Sequence, residues 1–394
     1  MQYVKGTSLL TVKELNRLQI RRIIYHKAPI TRQQIADELG VSLPTVTTNV
    51  AKMLKDGLLV EYESDTAAPQ GGRKPQWLDF NPEAFFALGV EYGPYDTRVC
   101  LSDLRGAIHG RKKMECCQVS YEKTVDQTAQ CIRELLQETG VSQDKILGLG
   151  AGLPGFVDRE RGVLRTGPYS SWMGRPLSSD LQKKLDLPVW VDNNVRMRTV
   201  WRDTFSGKRT PSIFLYLRVS NGIASPLKIK NDILEGNHAT AGEIGHMVVL
   251  PDGPVCPACG RRGCLGAISS EKAILSQVQR TLNDPEIKTI EQVLQKQKSG
   301  NPDVCRIMEK AVYFLGLSAA NIFNLLSPEL ICVDGYIFTE QANRERFVRV
   351  AHENLFGLSP EEAQIEFIPY DPYIGAYGGA ACVVRRALLE QEMQ

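Results

Sequence analysis

The chain has 394 residues, of which 43% are hydrophobic and 23% charged, and its net charge is +2. This length favours two or three domains, and this composition is typical of a globular protein rather than a disordered one. No run approaches the roughly 18 apolar residues of a membrane span, and the N-terminus lacks the pattern of a secretory signal. We therefore expect a cytoplasmic protein without a membrane partner. Of its ten cysteines three share one loop and the others are scattered, which suggests no disulfide framework.

The positive charge is concentrated near the N-terminus. Residues 1–60 carry nine Lys and Arg against four Asp and Glu, whereas the rest of the chain is nearly neutral. A basic segment on a nearly neutral body predicts a polyanionic partner for that segment, such as double-stranded DNA.

Residues 11–80 have the pattern of three helices followed by a hairpin. Thr31 is placed to cap the second helix, Gly40 to end it, and Ser42 to cap the third after a tight turn. Two helices joined by a short glycine turn and followed by a hairpin predict a winged helix-turn-helix domain over residues 1–80.

The third helix is predicted to place a small polar face outward, because Val46, Val50 and Met53 supply its buried stripe. Hydroxyl, amide and amine groups reach base edges and phosphates in the major groove, so this helix is a candidate recognition helix. The candidate DNA contacts on it are Thr45, Thr47, Thr48, Asn49 and Lys52. A small helical bundle with a polar face is the alternative.

A hairpin is predicted from the strand candidates Leu58–Tyr62 and Gln76–Phe80 and from the glycine-containing loop between them. Arg73 and Lys74 follow the two loop glycines and form a narrow cationic finger suited to a minor groove. We therefore count both as candidate DNA contacts. A flexible linker with two charges is the alternative.

One histidine and three cysteines lie within a single short loop, at His246, Cys256, Cys259 and Cys264. Imidazole and thiolate are ligands that Zn²⁺ prefers, and four of them complete a tetrahedral shell without an open position. The loop therefore predicts a structural zinc site. Three reduced cysteines and an unrelated histidine are the alternative.

From residue 81 onward, strand-like runs alternate with helices, which predicts an α/β class. The predicted strands are Ala87–Val90, Thr97–Leu101, Ile146–Leu149, Val189–Val191, Ile213–Val219 and Leu330–Val333, and the predicted helices are Val125–Thr139 and Glu309–Leu326.

The chain resembles the ROK family of repressors, open reading frames and kinases along nearly its whole length. The matching stretches, in family order, are ITRQQIADELGVSLPTVTTNVAKMLKDGLLVE, GGRKP, GLGAGLPGFVD, AGEIGHMVV, the cysteine loop and NLLSPELICVDG. The closest likeness is to the repressor branch, with its sugar-responsive regulators of the xylose and N-acetylglucosamine type. The resemblance implies a winged helix-turn-helix followed, over residues 81–394, by an actin-like (ribonuclease H-like) two-lobed sugar kinase fold. It also implies a sugar cleft between the lobes, a zinc knuckle at 246–264, and a homodimer or homotetramer.

The chain departs from the kinases of this family where they handle phosphate. Their D-x-G-G-T loop aligns with residues 91–95, where Pro94 contributes no N–H and tyrosine is expected to fill the phosphate space. Their second glycine-rich turn aligns with residues 220–226, where only Gly222 remains. The catalytic aspartate is replaced by Asn194, and an amide cannot accept a proton. We therefore expect no phosphotransfer activity.

The family's sugar contacts map onto Asn193, Asn194, Glu243 and His246. One contact is missing, because Gly266 stands where the family has a glutamate. Arg196 and Arg198 stand where small residues are usual, which leaves two hypotheses. Arg196 selects an anionic sugar derivative by bidentate pairing, or both arginines lie on a helix surface.

The sequence therefore predicts a sugar-responsive DNA-binding regulator, most simply a repressor, on a catalytically degenerate kinase scaffold. Ligand binding is expected to favour one lobe angle and so to change operator affinity. The alternatives are an active sugar kinase with a DNA-binding head and a regulator controlled by a protein partner.

Overall fold

The computed structural model describes residues 9–63, 74–115, 120–208, 211–237 and 240–390. Contacts between Cα atoms divide the chain into two compact units. The first unit comprises Met1–Gly207 together with Tyr373–Gln394, and the second comprises Lys208–Pro372. Each unit has its own sheet and its own apolar core.

The first unit begins with the predicted winged helix-turn-helix. Its elements are α1 (Leu9–Lys27), β1 (Ile30–Thr31), α2 (Arg32–Leu39), α3 (Leu43–Lys55), β2 (Leu59–Glu63) and β3 (Gln76–Phe80). The strands form an antiparallel sheet in the order β1-β3-β2. The hairpin β2–β3 agrees with the prediction, whereas β1 adds a strand that the sequence pattern did not indicate.

The ends of α2 and α3 follow the predicted capping chemistry. The Thr31 side chain accepts a hydrogen bond from the Gln34 amide at 3.3 Å, and the Gln34 side chain accepts from the Thr31 amide at 2.9 Å. Gly40 ends α2 with a φ of 64°, which glycine adopts without strain. Ser42 caps α3 by accepting from the Thr45 amide at 3.4 Å. These local bonds fix the angle between the two helices of the reading motif.

The main sheet of the first unit has the strand order β10-β7-β4-β5-β6. Its strands are β4 (Phe86–Tyr92), β5 (Asp96–Asp103), β6 (Ile108–Glu115), β7 (Ile146–Leu153) and β10 (Val189–Asn193); β8 (Phe156–Asp158) and β9 (Val163–Thr166) form a separate pair. The helices are α4 (Tyr121–Thr139), α5 (Leu177–Leu185), α6 (Asn194–Thr204) and α12 (Ile374–Val384), and a π-helical turn, Arg385–Glu390, follows α12. Apolar residues of the sheet, α4 and α5 form one buried cluster.

Glycines allow α12 to approach the sheet closely. A Cβ added to Gly89 of β4 would lie 1.8 Å from the Ala376 carbonyl oxygen, and one added to Gly150 of β7 would lie 2.0 Å from the Gly379 carbonyl oxygen. Any side chain at these positions would collide with the helix backbone. The first turn of α12 is thereby held against the end of β4.

The helix-turn-helix is joined to the rest of the first unit by polar contacts at the β5–β6 turn. The Tyr25 hydroxyl donates to the Leu104 carbonyl at 3.0 Å, and Arg105 donates to the Tyr25 carbonyl at 2.6 Å. Arg105 also forms an ion pair with Asp79 of β3. Arg22 of α1 donates to the Leu389 carbonyl at 2.6 Å. The helix-turn-helix therefore also contacts the C-terminal segment of the first unit.

The second unit contains a sheet in the order β14-β13-β11-β15-β16, with β12 paired to β11. The strands are β11 (Ile213–Val219), β12 (Ile223–Ala224), β13 (Leu227–Ile229), β14 (Asp232–Ile233), β15 (Leu330–Asp334) and β16 (Gln364–Phe367). The helices are α7 (Leu265–Ser269), α8 (Glu271–Leu282), α9 (Ile290–Lys298), α10 (Pro302–Leu326) and α11 (Gln341–Glu353). Within the described ranges, no helix combines the length and apolarity needed to span a membrane.

Candidate functional sites

The outward face of α3 presents hydroxyl and amine groups. Thr47, Thr48 and Lys52 are exposed, whereas Thr45 is half-buried. The Thr48 hydroxyl donates to the Pro44 carbonyl at 2.9 Å, and the Thr45 hydroxyl lies 2.8 Å from the Ser42 hydroxyl. The structure therefore brings these four predicted DNA contacts to the first three turns of one helix, as a recognition helix requires.

The prediction that Asn49 faces outward is wrong. Only 4% of this residue is exposed, and its side-chain amide donates to the Thr45 carbonyl at 2.8 Å. Asn49 lies three residues after Val46 and four before Met53, so helical periodicity places it on the buried stripe. That spacing was the signal in the sequence that could have assigned it correctly. Asn49 is therefore part of the buried side of α3 and not of its outward face.

The wing is described in part. Lys74 is exposed next to β3, whereas Arg73 lies outside the described residues. An ion pair connects the base of the wing to the helix-turn-helix. It forms between Arg32, the first residue of α2, and Glu61 of β2. The Arg32 Nη2 to Glu61 Oε2 distance is 3.2 Å. This pair links β2, at the base of the wing, to α2, and sequence analysis did not predict it.

The four predicted metal ligands converge in the second unit. The ligand atoms of His246, Cys256, Cys259 and Cys264 all lie within 4.8 Å of one another. Cys256 Sγ lies 3.8 Å from His246 Nδ1, and Cys259 Sγ lies 3.6 Å from Cys264 Sγ. Three thiolates and one imidazole at this spacing fit a tetrahedral divalent ion. A metal ion held there would tie the turn carrying His246 to the cysteine loop.

The carboxyl group of Glu243 lies at the start of the same turn. Glu243 immediately precedes the 3₁₀ turn Ile244–His246, and its carbonyl accepts a hydrogen bond from the His246 amide at 3.1 Å. Burial raises the pKa of Glu243, and the nearby His246 opposes this shift in part. Gly266, where the resemblance expects a glutamate, lies on α7 with little room, because an added Cβ would be 3.1 Å from the Gly245 carbonyl oxygen.

Asn193 caps α6 in the first unit. Its side-chain oxygen accepts from the Val195 amide at 2.9 Å and from the Arg196 amide at 3.1 Å. Its side-chain nitrogen donates to the Gly155 carbonyl at 2.9 Å. Both lone pairs of the oxygen and one amide hydrogen are therefore engaged, which leaves one amide hydrogen for a ligand.

Asn194 belongs to a buried charged cluster with Glu91 and Arg198. Arg198 Nη2 lies 2.9 Å from Glu91 Oε1 and 2.8 Å from Glu91 Oε2, and the Asn194 side-chain nitrogen donates to Glu91 Oε1 at 3.2 Å. Glu91 is 6% exposed and Arg198 is 3% exposed. This ion pair joins the end of β4 to α6 in the core of the first unit.

The carboxylate of Glu91 also lies against α12. A Cβ on Gly375, the second residue of α12, would lie 2.0 Å from the Glu91 carboxyl carbon. Carboxylates are stabilised near the N-terminus of a helix, where the backbone dipole is positive. Arg198, the Asn194 amide and the start of α12 therefore all lie against the Glu91 carboxyl group, at the position where the resemblance places the aspartate of the D-x-G-G-T loop.

The hypothesis that both arginines lie on a helix surface is wrong for Arg198, which is buried. Arg196 is largely covered as well, and its Nε lies 3.2 Å from Asp192 Oδ1. Asp192 also pairs with Arg159, whose Nε lies 3.0 Å from Asp192 Oδ2. Sequence analysis missed these pairs because most of the partners come from other elements of the chain.

The expectation that tyrosine fills the phosphate space also needs correction. Tyr95 is 75% exposed at the apex of the β4–β5 turn, and the buried Tyr92 places its hydroxyl 3.1 Å from the Thr128 hydroxyl of α4. The Gly93 amide donates to the Asp96 carbonyl at 2.9 Å, so the turn uses this N–H itself. Tyr95 is therefore directed to solvent, whereas Tyr92 is buried at the end of β4, next to Glu91 in the strand.

Comparisons with known proteins define the class. The family model of the ROK family matches residues 87–384, and a model described as winged helix-turn-helix DNA-binding matches residues 14–60. The chain belongs to the ROK family, as its motifs predicted.

Individual relatives cover most of the chain. The xylose repressor of Bacillus subtilis (strain 168) is 27% identical over 320 residues, which are 81% of this chain and 82% of that protein. The crystal structure of a ROK family transcriptional regulator, a homologue of the E. coli MLC protein, matches with a TM-score of 0.82 at 21% identity over 96% of this chain and 97% of that one. A ROK hexokinase from Thermus thermophilus matches with a TM-score of 0.65 at 21% identity over 75% of this chain and 97% of its own. These likenesses confirm a winged helix-turn-helix followed by a sugar-kinase-like α/β fold.

Proposed function

We propose that the chain is a sugar-responsive transcriptional repressor that binds operator DNA through α3 and the wing and lacks kinase activity. The observation that carries this proposal is the exposed polar face of α3, on a capped helix-turn-helix, in the same chain as a ROK domain. The similarity to a xylose repressor over most of both chains supports it. We assign DNA reading to residues 1–80 and effector binding to residues 81–394.

The side chain at the former catalytic position argues against phosphotransfer. Asn194 cannot take a proton from a sugar hydroxyl, and general-base assistance contributes about 10²- to 10⁴-fold to such reactions. Pro94, in the turn that follows β4, contributes no backbone N–H to hold a phosphate oxygen. Both features favour a protein that binds a sugar without converting it.

The effector is proposed to be a neutral monosaccharide that contacts Asn193, Asn194, Glu243 and His246. Because Arg196 pairs with Asp192, the hypothesis of an anionic sugar derivative is less well supported than a neutral one. We further propose a cytoplasmic homodimer, or homotetramer, because paired reading heads fit palindromic operators. Zinc is the metal that best fits the three thiolates and the imidazole.

Selection of duplexes from a random library by the purified, zinc-loaded protein tests DNA reading. We expect a palindromic consensus whose half-site centres are about 10 base pairs, or a multiple, apart. The absence of any enriched sequence at low salt would refute the proposal. Metal analysis of the same preparation should give one zinc per chain, and sedimentation should give at least a dimer.

A coupled assay for ADP release tests the alternative of an active kinase. D-xylose, D-glucose and N-acetylglucosamine are each offered with ATP and Mg²⁺. We expect no release above the rate without sugar. Sugar-dependent turnover would contradict the assignment as a regulator without catalysis, whereas a selected operator with no response to any sugar would favour control by a protein partner.

A further inference from the structure

We propose that Glu91 and Arg198 are positioning residues that hold the Asn194 side chain in one orientation, with its oxygen available to the effector and its nitrogen turned inward. The inference rests on the proposed role of Asn194 in sugar binding. It assigns to position 194 the part of a hydrogen-bond acceptor, so that the effector must present a hydroxyl donor to it.

The orientation follows from the contacts of Glu91. Both of its carboxyl oxygens accept hydrogen bonds from the Arg198 guanidinium, at 2.8 and 2.9 Å, so the side that faces Asn194 presents an acceptor. The neighbouring amide must therefore turn its nitrogen toward Glu91, and the Asn194 Nδ2 to Glu91 Oε1 distance is 3.2 Å. The reverse orientation would bring two oxygens together with no hydrogen between them.

The oxygen of Asn194 is left with capacity to bind. Within the part of the chain that the structure describes, no group donates a hydrogen bond to it. Asn194 is half-buried, and its oxygen is not among the described polar atoms that are buried without a partner, so it retains contact with solvent. Asn193, the preceding residue, instead uses its oxygen to cap α6. Two adjacent asparagines thus have different roles, which the sequence alone does not distinguish.

This arrangement determines what position 194 recognises. A sugar hydroxyl that donates to the Asn194 oxygen gains a hydrogen bond, but the amide cannot remove its proton. An analogue with fluorine in place of that hydroxyl keeps an acceptor but loses the donor. The substrate-binding geometry of a kinase is thereby used for recognition alone.

A stability measurement tests the orientation without any ligand. Asn194→Asp places a second carboxyl group beside Glu91, and two neighbouring carboxylates cannot both ionise at low cost. We expect a lower melting temperature than wild type at pH 8 and a smaller difference at pH 5, where one carboxyl group retains its proton. The double variant Glu91→Gln/Asn194→Asp should recover most of the loss, because it restores one carboxylate for one guanidinium.

The matched control is Asn301→Asp. Asn301 caps α10 by accepting from the Val304 amide at 3.1 Å, a role that aspartate fills equally well, so its melting temperature should stay near that of wild type. The fixed orientation is refuted if Asn194→Asp has the melting temperature of wild type at both pH values. It is also refuted if the double variant does not regain the melting temperature that Asn194→Asp loses.

Calorimetry with D-xylose and N-acetylglucosamine then separates this inference from the proposed function. A sugar that binds wild type should no longer bind Asn194→Leu, because leucine has no hydrogen-bond acceptor. The same sugar should still bind Glu91→Gln/Asn194→Asp, because aspartate keeps an acceptor at position 194. Loss of binding in both variants would refute the acceptor role. If neither sugar binds wild type, the proposed effector class fails, while the melting experiment still decides the orientation.

Discussion

Arg198 carries a positive charge and has almost no contact with solvent, and the Glu91 carboxylate lies against it. The pair it forms with Glu91 is bidentate, and both side chains are more than nine-tenths buried. Buried ion pairs contribute little net stability relative to apolar residues, but removing one partner leaves an uncompensated charge. The pair is therefore better explained by its effect on Asn194 than by a gain in stability.

Replacing Arg198 with leucine is predicted to destabilise the first unit strongly. The variant leaves the Glu91 carboxylate buried without its guanidinium, which costs about 3–5 kcal/mol in the free energy of unfolding. Denaturant titration measures the change. The double variant Glu91→Gln/Arg198→Met removes both charges, so its free energy of unfolding should fall clearly less than that of Arg198→Leu. An equal loss in both variants would show that packing, and not the unpaired charge, is responsible.

Replacing Lys52 with alanine is predicted to weaken DNA binding uniformly across sequences. Lys52 is exposed in the last turn of α3, where an amine reaches a phosphate rather than a base edge. The slope of log affinity against log salt should fall by about 1, and the selected consensus should stay unchanged. The matched comparison is Lys272→Ala, an exposed lysine of the second unit, which should leave the slope as it is. An altered consensus in Lys52→Ala would assign this residue to base reading instead.

The environment of a residue was predictable from sequence where its partners lie close to it along the chain. Four metal ligands within nineteen positions, 246 to 264, are close along the chain before they are close in space. Arg198 and its partner Glu91 are separated by 107 positions, so no local pattern links them. Asn49 was misassigned because residue type was given more weight than helical periodicity.

At the scale of elements, the ends of helices were the most predictable features. Capping bonds join residues two to four positions apart, so Thr31, Gly40 and Ser42 could be assigned from sequence. The strand Ile30–Thr31 could not be assigned from sequence, because two residues are too few to show a periodicity. Its pairing partners, Leu78 and Trp77, lie on β3, a distant part of the chain. The sheet order of each unit likewise depends on pairings that distant segments make.

Helix α8 carries a second titratable group whose pKa the fold changes. Burial raises the pKa of Glu271, its first residue, from 4.5 to about 7, although Arg218 opposes the shift. The Glu271 carboxylate accepts from the Tyr336 amide at 3.1 Å. Because the folded pKa exceeds the unfolded one, the folded protein binds more protons between these values, and its stability falls as the pH rises through them.

The variant Glu271→Gln is predicted to remove that loss. At pH 5 its free energy of unfolding should be close to that of wild type. At pH 8 it should be more stable than wild type by about 1–3 kcal/mol, because the amide carries no charge to bury. Free energies of unfolding at the two pH values measure the effect. Glu286→Gln serves as control, because the Glu286 side chain is 81% exposed. An equal difference from wild type at both pH values would contradict the assignment.

At the scale of the whole molecule, the motifs predicted the family correctly because they are spread over nearly the entire chain and occur in family order. The grouping of the helix-turn-helix with the rest of the first unit, Met1–Gly207 and Tyr373–Gln394, was not evident from the sequence. It depends on contacts such as those of Tyr25 and Arg105 at the β5–β6 turn. These contacts give the DNA-reading domain a defined attachment within the first unit.

At this scale, one chain is proposed to couple sugar binding to operator binding without converting the sugar. A coupling free energy of about 1–3 kcal/mol corresponds to a 5- to 150-fold change in affinity. The most direct measurement is the affinity for a selected, labelled operator at fixed salt, with and without saturating D-xylose or N-acetylglucosamine. We predict that one of the sugars lowers operator affinity within that range while remaining unmodified. Binding of a sugar that leaves operator affinity unchanged, or its phosphorylation in the presence of ATP, would contradict the account.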